Sequence, residues 1–248
     1  MKRRFAFFVS ICVVTTLPKK SNRALAIGIP KIDEAFLGFQ RSNFAVLFGH
    51  STCKRLLFFL CVRSQLLLKK GGLNSPVAYV DGGNTFDPYA VSAAAREYGL
   101  DPKSVLEKIF VSRAFTAYQL SALVFEKLEE TLKQHRSKVV IVSDITGLFL
   151  DRDVPKKEGR DLFTKMIRYL SELASKRRAV IVVSCFPRRY SSRSTFLESV
   201  LLGRATTLIK LKELRGVLKF VLEDHPTLKP VAIDFPSNLV TIDTFIED

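Results

Sequence analysis

From residue 44 onward, apolar runs of strand length alternate with longer segments of helical spacing, and this alternation limits the chain to very few architectures. FAVLF (44–48), VAYV (77–80), KIFVSRA (108–114), VVIV (139–142) and AVIVV (179–183) read as strands. Between them, KRLLFFLCVRSQLLLKK reads as a helix over 54–70 that stops at Gly71 and Gly72, and YAVSAAAREYG as one opened by Asp87 and Pro88. YQLSALVFEKLEETLKQH (118–135) carries Leu120, Leu123, Phe125 and Leu128 at helical spacing. DLFTKMIRYLSELASKRR (161–178) is amphipathic, with a basic end that suits the helix dipole. Strands without polar alternation, joined by helices, predict a mostly parallel twisted sheet covered on both faces. The last part changes character. TTLIKLKE, GVLKFVLED, VAIDF and NLVTID read as short strands, with a hairpin at Arg215 and Gly216, that add antiparallel strands at the C-terminal edge of the sheet.

In open sheets of this kind ligands bind beyond the carboxyl ends of the strands. The loops that follow the first, second and fourth strands are GHSTCK, DGGNTFDP and SDITGLFLD, and all three are expected on that edge. The first of them, between two apolar runs, stands where a nucleotide-binding protein carries its phosphate loop. Its other reading is a plain strand-to-helix turn kept for folding.

The formal charge of +15 exceeds the magnitude of about 2–8 common for a small soluble domain. Either the surface is a solvated Lys-rich one or the partner is a polyanion, most often nucleic acid. The clustering favours the polyanion: Arg188, Arg189 and Arg193 fall in one short loop, and Lys156, Lys157 and Arg160 in another. Cys12, Cys53, Cys61 and Cys185 lack the spacing of a zinc site or a disulfide framework, and the histidines are too scattered for a ligand set, so no metal centre is expected. MKRR followed by FAFFVSICVVTTL has the layout of a signal peptide, with ALA at 24–26 as its cleavage site. The run is short of the roughly 20 residues of a membrane span, and cleavage would land beside IGIPKIDEAF, which reads as domain. The alternative, favoured here, is an apolar arm and linker over 1–26 that packs on the core at 27–248 or on a neighbour.

The order of motifs resembles the RecA/RadA recombinase family, closest to its archaeal RadA-like branch. GIPKIDEAFLGF is similar to that family's G-x-x-x-L-D-x-x-L-G-G lead-in, YVDGGNTFDP to Y-I-D-T-E-N-T-F-R-P, and IFVSRAF to I-x-V-A-R-A-F. VVIVSDITGLF resembles the Walker B strand, GRATTLIKL the A-x-T-x-R-I-x-L strand, and VLEDHPTLKPVAIDF the L-x-D-x-P-x-L-P segment. No single motif is specific; the ordered set over 27–248 is. The resemblance implies a RecA-like P-loop NTPase fold and leaves room for only a short arm before it, without the family's helix-hairpin-helix domain.

Against the family pattern the chemistry is depleted. Gly49, Ser51, Thr52, Lys54 and Arg55 are the candidate phosphate-binding residues of the degenerate loop, but Cys53 takes the last glycine position and Arg55 the place of the Mg²⁺-binding Ser/Thr. Counted from Gly49, the loop is one residue short. The Walker B acid has moved one place, from Ser143 to Asp144, and on a strand one residue changes the face. Asp144 recovers the role only if the strand end is kinked. The water-activating glutamate falls on Gly83, Asp87 and Ala90 replace arginines near the nucleotide, and SCF (184–186) replaces the Asn-Gln sensor. Three losses on one reaction predict a chain that does not turn over ATP, with ATP and Mg²⁺ binding left open and no resident cofactor expected. The resemblance also implies contact with single-stranded DNA by two loops, FLDRDVPKKEGRD (149–161) and FPRRYSSRSTF (186–196). Their candidate DNA-binding residues are Arg152, Lys156, Lys157, Arg160, Arg188, Arg189, Tyr190 and Arg193, since Arg beside an aromatic suits backbone tracking and base stacking. The implied function is a catalytically degenerate paralogue that assists recombination and DNA repair, in the cytoplasm at the nucleoid, with a RadA-type recombinase or paralogue subunit, or its own copies, as partner and no membrane. The alternatives are an active DNA-dependent ATPase with a non-standard site and a structural subunit that binds only protein.

Overall fold

A computed structural model describes residues 24–188, 191–214 and 217–236. Phe5, Phe7 and Phe8 of the apolar arm, Arg189, Tyr190, the turn at Arg215 and Gly216, and the NLVTID run lie outside them.

A short helix, α1 (Pro30–Phe36), precedes β1 (Phe44–Gly49) and α2 (Cys53–Arg63). Then follow β2 (Val77–Asp81), α3 (Pro88–Glu97), α4 (Pro102–Leu106) and β3 (Ile109–Arg113). Helices α5 (Ala117–Ala122) and α6 (Leu128–Gln134) lead to β4 (Val139–Ser143) and α7 (Lys156–Arg177). Strand β5 (Val180–Cys185) and α8 (Ser192–Leu202) precede β6 (Thr207–Leu214), β7 (Val217–Asp224) and β8 (Val231–Pro236). Among the described residues these strands make one eight-stranded sheet in the order β3-β2-β4-β5-β1-β6-β7-β8. The pairs from β3 to β6 are parallel, and β7 and β8 extend the sheet antiparallel. The expected α/β architecture, with its antiparallel C-terminal edge, is what forms.

Each central strand is apolar on both faces because both faces are covered. Ala45, Leu47, Tyr79, Val139, Ile141, Val180 and Val182 pack on the side of α1, α2, α3 and α4. Their sequence neighbours Phe44, Val46, Ala78, Val80, Val140, Val142, Ile181 and Val183 pack against α5, α6, α7 and α8. A side chain one step along a strand therefore changes compartment, which makes the strand end at residues 143 and 144 decisive for the site.

Three helices depart from the sequence reading. Helix α2 ends at Arg63 rather than running to 70, because the carbonyls of Ser64 and Leu66 accept from Leu73, Ser75 and Asn74 instead of continuing the helix. The buried Arg63 anchors that end, with its Nε donating to Ala26 O at 2.8 Å and its guanidinium over Tyr98. Between α5 and α6 a π turn, Leu123–Lys127, inserts a residue. The insertion shifts the buried stripe to Leu120, Val124, Leu128 and Leu132, and Leu123 and Phe125 sit at its margin. Finally, α7 begins at Lys156, five residues before the apolar spacing begins at 161. Lys156, Lys157 and Arg160, expected in a loop, belong to its first turns, and Arg193 likewise belongs to α8.

Candidate functional site

The carboxyl ends of β4, β5 and β1 lie side by side, so the loops that follow them share one edge, with β2 next to β4. The loop from Gly49 to Lys54 is closed on itself. Gly49 has φ +103, and a Cβ there would overlap Leu211 O of the adjacent β6, so only glycine lets the loop turn this close to the strand. His50 N–H donates to Leu211 O at 2.8 Å, Cys53 N–H to His50 O at 3.1 Å and Lys54 N–H to Ser51 O at 3.0 Å. Thr52 N–H donates to His50 Nδ1 at 3.3 Å. That acceptor role leaves the proton of a neutral ring on Nε2, which lies 2.8 Å from Glu213 Oε2 and ties the loop to β6. Cys53 is buried, and burial pushes its thiol up to about 12, so it packs as a small hydrophobe. Lys54 lays its ammonium 5.1 Å from the centre of the Phe186 ring. Arg55, half-buried beside it, brings only donors to the position of a metal-binding hydroxyl. A cavity of about 200 Å³ lies between Phe48, Gly49, Phe186 and, on α8, Glu198 and Leu202, smaller than the roughly 300–1,000 Å³ of ordinary ligand pockets.

At the end of β4 the acid has moved, and the backbone has moved with it. Ser143, where the resemblance expects the acid, donates its hydroxyl to Asp81 Oδ1 at 2.8 Å. Asp81 is fully buried and also accepts from Thr85 N–H at 2.9 Å, Phe86 N–H at 3.0 Å and Arg113 Nε at 3.2 Å. Burial alone would raise its pKa; these donors more than offset it and hold the carboxyl below the usual carboxylate range. Asp144 then takes a left-handed backbone, φ +48, and its N–H donates to Ser184 Oγ at 2.9 Å. This is the kink that the sequence made a condition. It turns the Asp144 carboxylate over the strand end, where Oδ2 pairs with Arg188 Nη2 and Lys54 is close enough for its charge to act on it. Burial pushes the Asp144 carboxyl above its ordinary range against the pull of Arg188 and Lys54, and Oδ1 is buried without a hydrogen-bond partner.

Two glycines make room for this pair. The register sets Asp81 opposite Ser143, which brings Gly83 beside Asp144. A Cβ on Gly83 would lie 2.8 Å from Asp144 Cβ, and one on Gly147 would lie 2.6 Å from both Arg188 Nη2 and Asp144 Oδ2. Asp144 thus occupies the space that a side chain at position 83 would need. Asp87 caps α3, accepting from Tyr89 N–H at 2.8 Å.

The basic residues divide into two groups. Arg152, Lys156 and Lys157 are exposed at the start of α7 and the loop before it. Arg160 lies over the Phe196 ring at 4.7 Å and Arg193 Nη1 donates to Asp151 O at 3.0 Å, so these two join the loop edges to each other. Arg188 is held by Asp144. Among the described residues no group of three or more His, Cys, Asp or Glu could hold a metal ion, and no helix is long and apolar enough to cross a membrane.

A mostly parallel sheet of this order, with a strand–loop–helix at β1 and an acid at the end of β4, defines a RecA-like nucleotide-fold protein. The family model described as Rad51 matches residues 19–186, and the chain belongs to the Rad51 family. It is similar to the DNA repair and recombination protein RadA of Cenarchaeum symbiosum (strain A), 30% identical over 115 residues, 46% of this chain and 29% of that protein. It is also similar to the meiotic recombination protein DMC1 homologs of Arabidopsis thaliana, 29% identical, and Glycine max, 30% identical, each over 160 residues, 63% of this chain and 46% of theirs. The chain thus spans less than half the length of these curated relatives.

Proposed function

We propose that this chain is a Rad51-family subunit that binds DNA, single strands by preference, assists recombination and repair, and does not hydrolyse ATP. The observation that carries the reading is the Asp144–Arg188 pair set into the space left by Gly83. Phosphoryl transfer is largely positioning and charge stabilisation by a metal, its ligands and a water-activating group. Here Arg55 stands in place of the hydroxyl ligand, the strand-end position is Ser143 bonded to Asp81, and position 83 has no side chain. The loop amides of His50, Thr52, Cys53 and Lys54 donate within the protein rather than outward. These residues do not fit Mg²⁺-bound ATP in the family's manner.

The relatives named for recombination and repair support the process; the exposed Arg152, Lys156 and Lys157 and the charge of +15 support a phosphate backbone as ligand. The partners proposed with it are a RadA-type recombinase or paralogue subunit, or further copies of this chain. A fluorescent single-stranded oligonucleotide titrated at rising salt tests the reading. Binding should fall steeply with salt, and the triple variant R152A/K156A/K157A should lower the log–log slope by about 2, at roughly 0.7 per phosphate contact. No binding at low salt would end it. A second reading, an ATPase with an unusual site, draws on one observation: the kink at Asp144 returns a carboxylate to the neighbourhood of Lys54.

A further inference from the structure

The Asp144–Arg188 pair joins two places with different tasks. Asp144 is fixed: its N–H is bonded to Ser184 Oγ, the next residue's N–H to Ser184 O at 3.0 Å, and its side chain is 6% exposed. Arg188 belongs to the loop after β5, on the basic edge, and its side chain is 40% exposed. The acid cannot follow the arginine outward, but the arginine can leave. Every N–H that Arg188 offers Asp144 is one it cannot offer a DNA phosphate, because both are anionic oxygen acceptors competing for one planar donor fork. We propose that Asp144 is a built-in competitor of the DNA backbone for Arg188, an autoinhibitory contact that holds one cation of the DNA edge inside the cleft. It rests on the proposed DNA binding and adds to it a counter-intuitive sign: removing the buried acid strengthens binding.

The sign follows from where each charge sits. Capture of Arg188 by a phosphate leaves Asp144 buried, with Oδ1 unpartnered and only the Gly147 amide and the charge of Lys54 to support the carboxylate, a cost that binding must overcome. In Asp144→Asn that cost and the competing acceptor charge both vanish, while the space beside Gly83 and Gly147 stays filled. One further phosphate contact becomes available to the unbound protein.

The test is a single-stranded oligonucleotide titration of the wild type, D144N, R188A and D144N/R188A, with D153N as a control that removes an exposed charge from the neighbouring loop. Circular dichroism melts check folding, and Asp144→Ser serves as the second variant if D144N does not fold. Expected is an approximately 5-fold tighter complex for D144N, with the salt slope steeper by about 0.7, no gain in the R188A background, and a smaller gain for D153N. If the wild type binds and D144N binds no tighter, the competition is wrong while DNA binding stands. If the gain persists without Arg188 or equals that of D153N, the effect is long-range charge alone and the proposal is overturned. If neither protein binds at low salt, the DNA-binding reading falls and the proposal with it.

Discussion

The Asp144 side chain is almost enclosed, 6% exposed, whereas the Arg188 side chain that pairs with it is 40% exposed. The two partners therefore differ in what their loss leaves behind. Arg188→Ala strands a carboxylate whose other oxygen already lacks a partner, and such a change typically costs about 1–3 kcal/mol. Asp144→Asn leaves an arginine that water can reach, and should cost under about 1 kcal/mol. Urea denaturation of the two single variants and the double variant checks this, with D144N expected to restore most of the stability that R188A loses.

Gly83 is expected to tolerate no side chain while Asp144 is present. Its Cβ would stand 2.8 Å from Asp144 Cβ, and overpacking of this kind costs about 1–3 kcal/mol. Gly83→Ala should lower the melting temperature, and Asp144→Gly in the same chain should recover part of the loss. Gly83→Glu should not create ATP hydrolysis, because Ser143 and Arg55 are unchanged.

Gly49 combines φ +103 with a Cβ position already occupied by Leu211 O. Gly49→Ala is expected to destabilise by at least about 2 kcal/mol, the sum of strain and backbone displacement. Lys54→Ala should cost no more than about 1 kcal/mol, since its contact with Phe186 is partly exposed to water. Thermal melts of both variants separate the conformational role of the loop from its charge.

Asp81 sets an acid limit. Its folded pKa lies below the ordinary value, so between the two the unfolded chain carries the proton and the folded one does not. Stability then rises with pH across that window. The contribution is complete above the unfolded pKa, about 3.9, and is lost as pH falls through the folded value. Asp81→Asn should be less stable at neutral pH and lose less of its stability on acidification, as read by denaturation between about pH 5 and 2.

The sheet was legible because each central strand carries its evidence locally: Val139 to Val142 are all apolar, and burial on both faces requires that. The start of α7 was missed, although Pro155 and the acidic Glu158 mark a helix that begins before the apolar spacing does. The early end of α2 was not legible, because it depends on carbonyls claimed by residues 73–75 and on Arg63 reaching Ala26, contacts that no local pattern contains. The strand-to-helix loop after β1 and the aspartate just past β4 were visible in sequence as a turn and an acid, while the contacts that each makes were not. The Asp144–Arg188 pair was missed, although a signal existed: a glycine at 83 and an acid at 144 are neighbours once β2 and β4 are paired. What no sequence pattern announces is a left-handed backbone at a non-glycine residue, which only tertiary contacts impose.

The most direct measurement is phosphate release from ATP and Mg²⁺ by the purified protein with single-stranded DNA present, beside Lys54→Ala. Expected is no release above background in either protein, with DNA bound in both. DNA-stimulated release by the wild type that disappears in Lys54→Ala would contradict the account, since it would require the cleft now filled by Asp144 and Arg188 to open around phosphates.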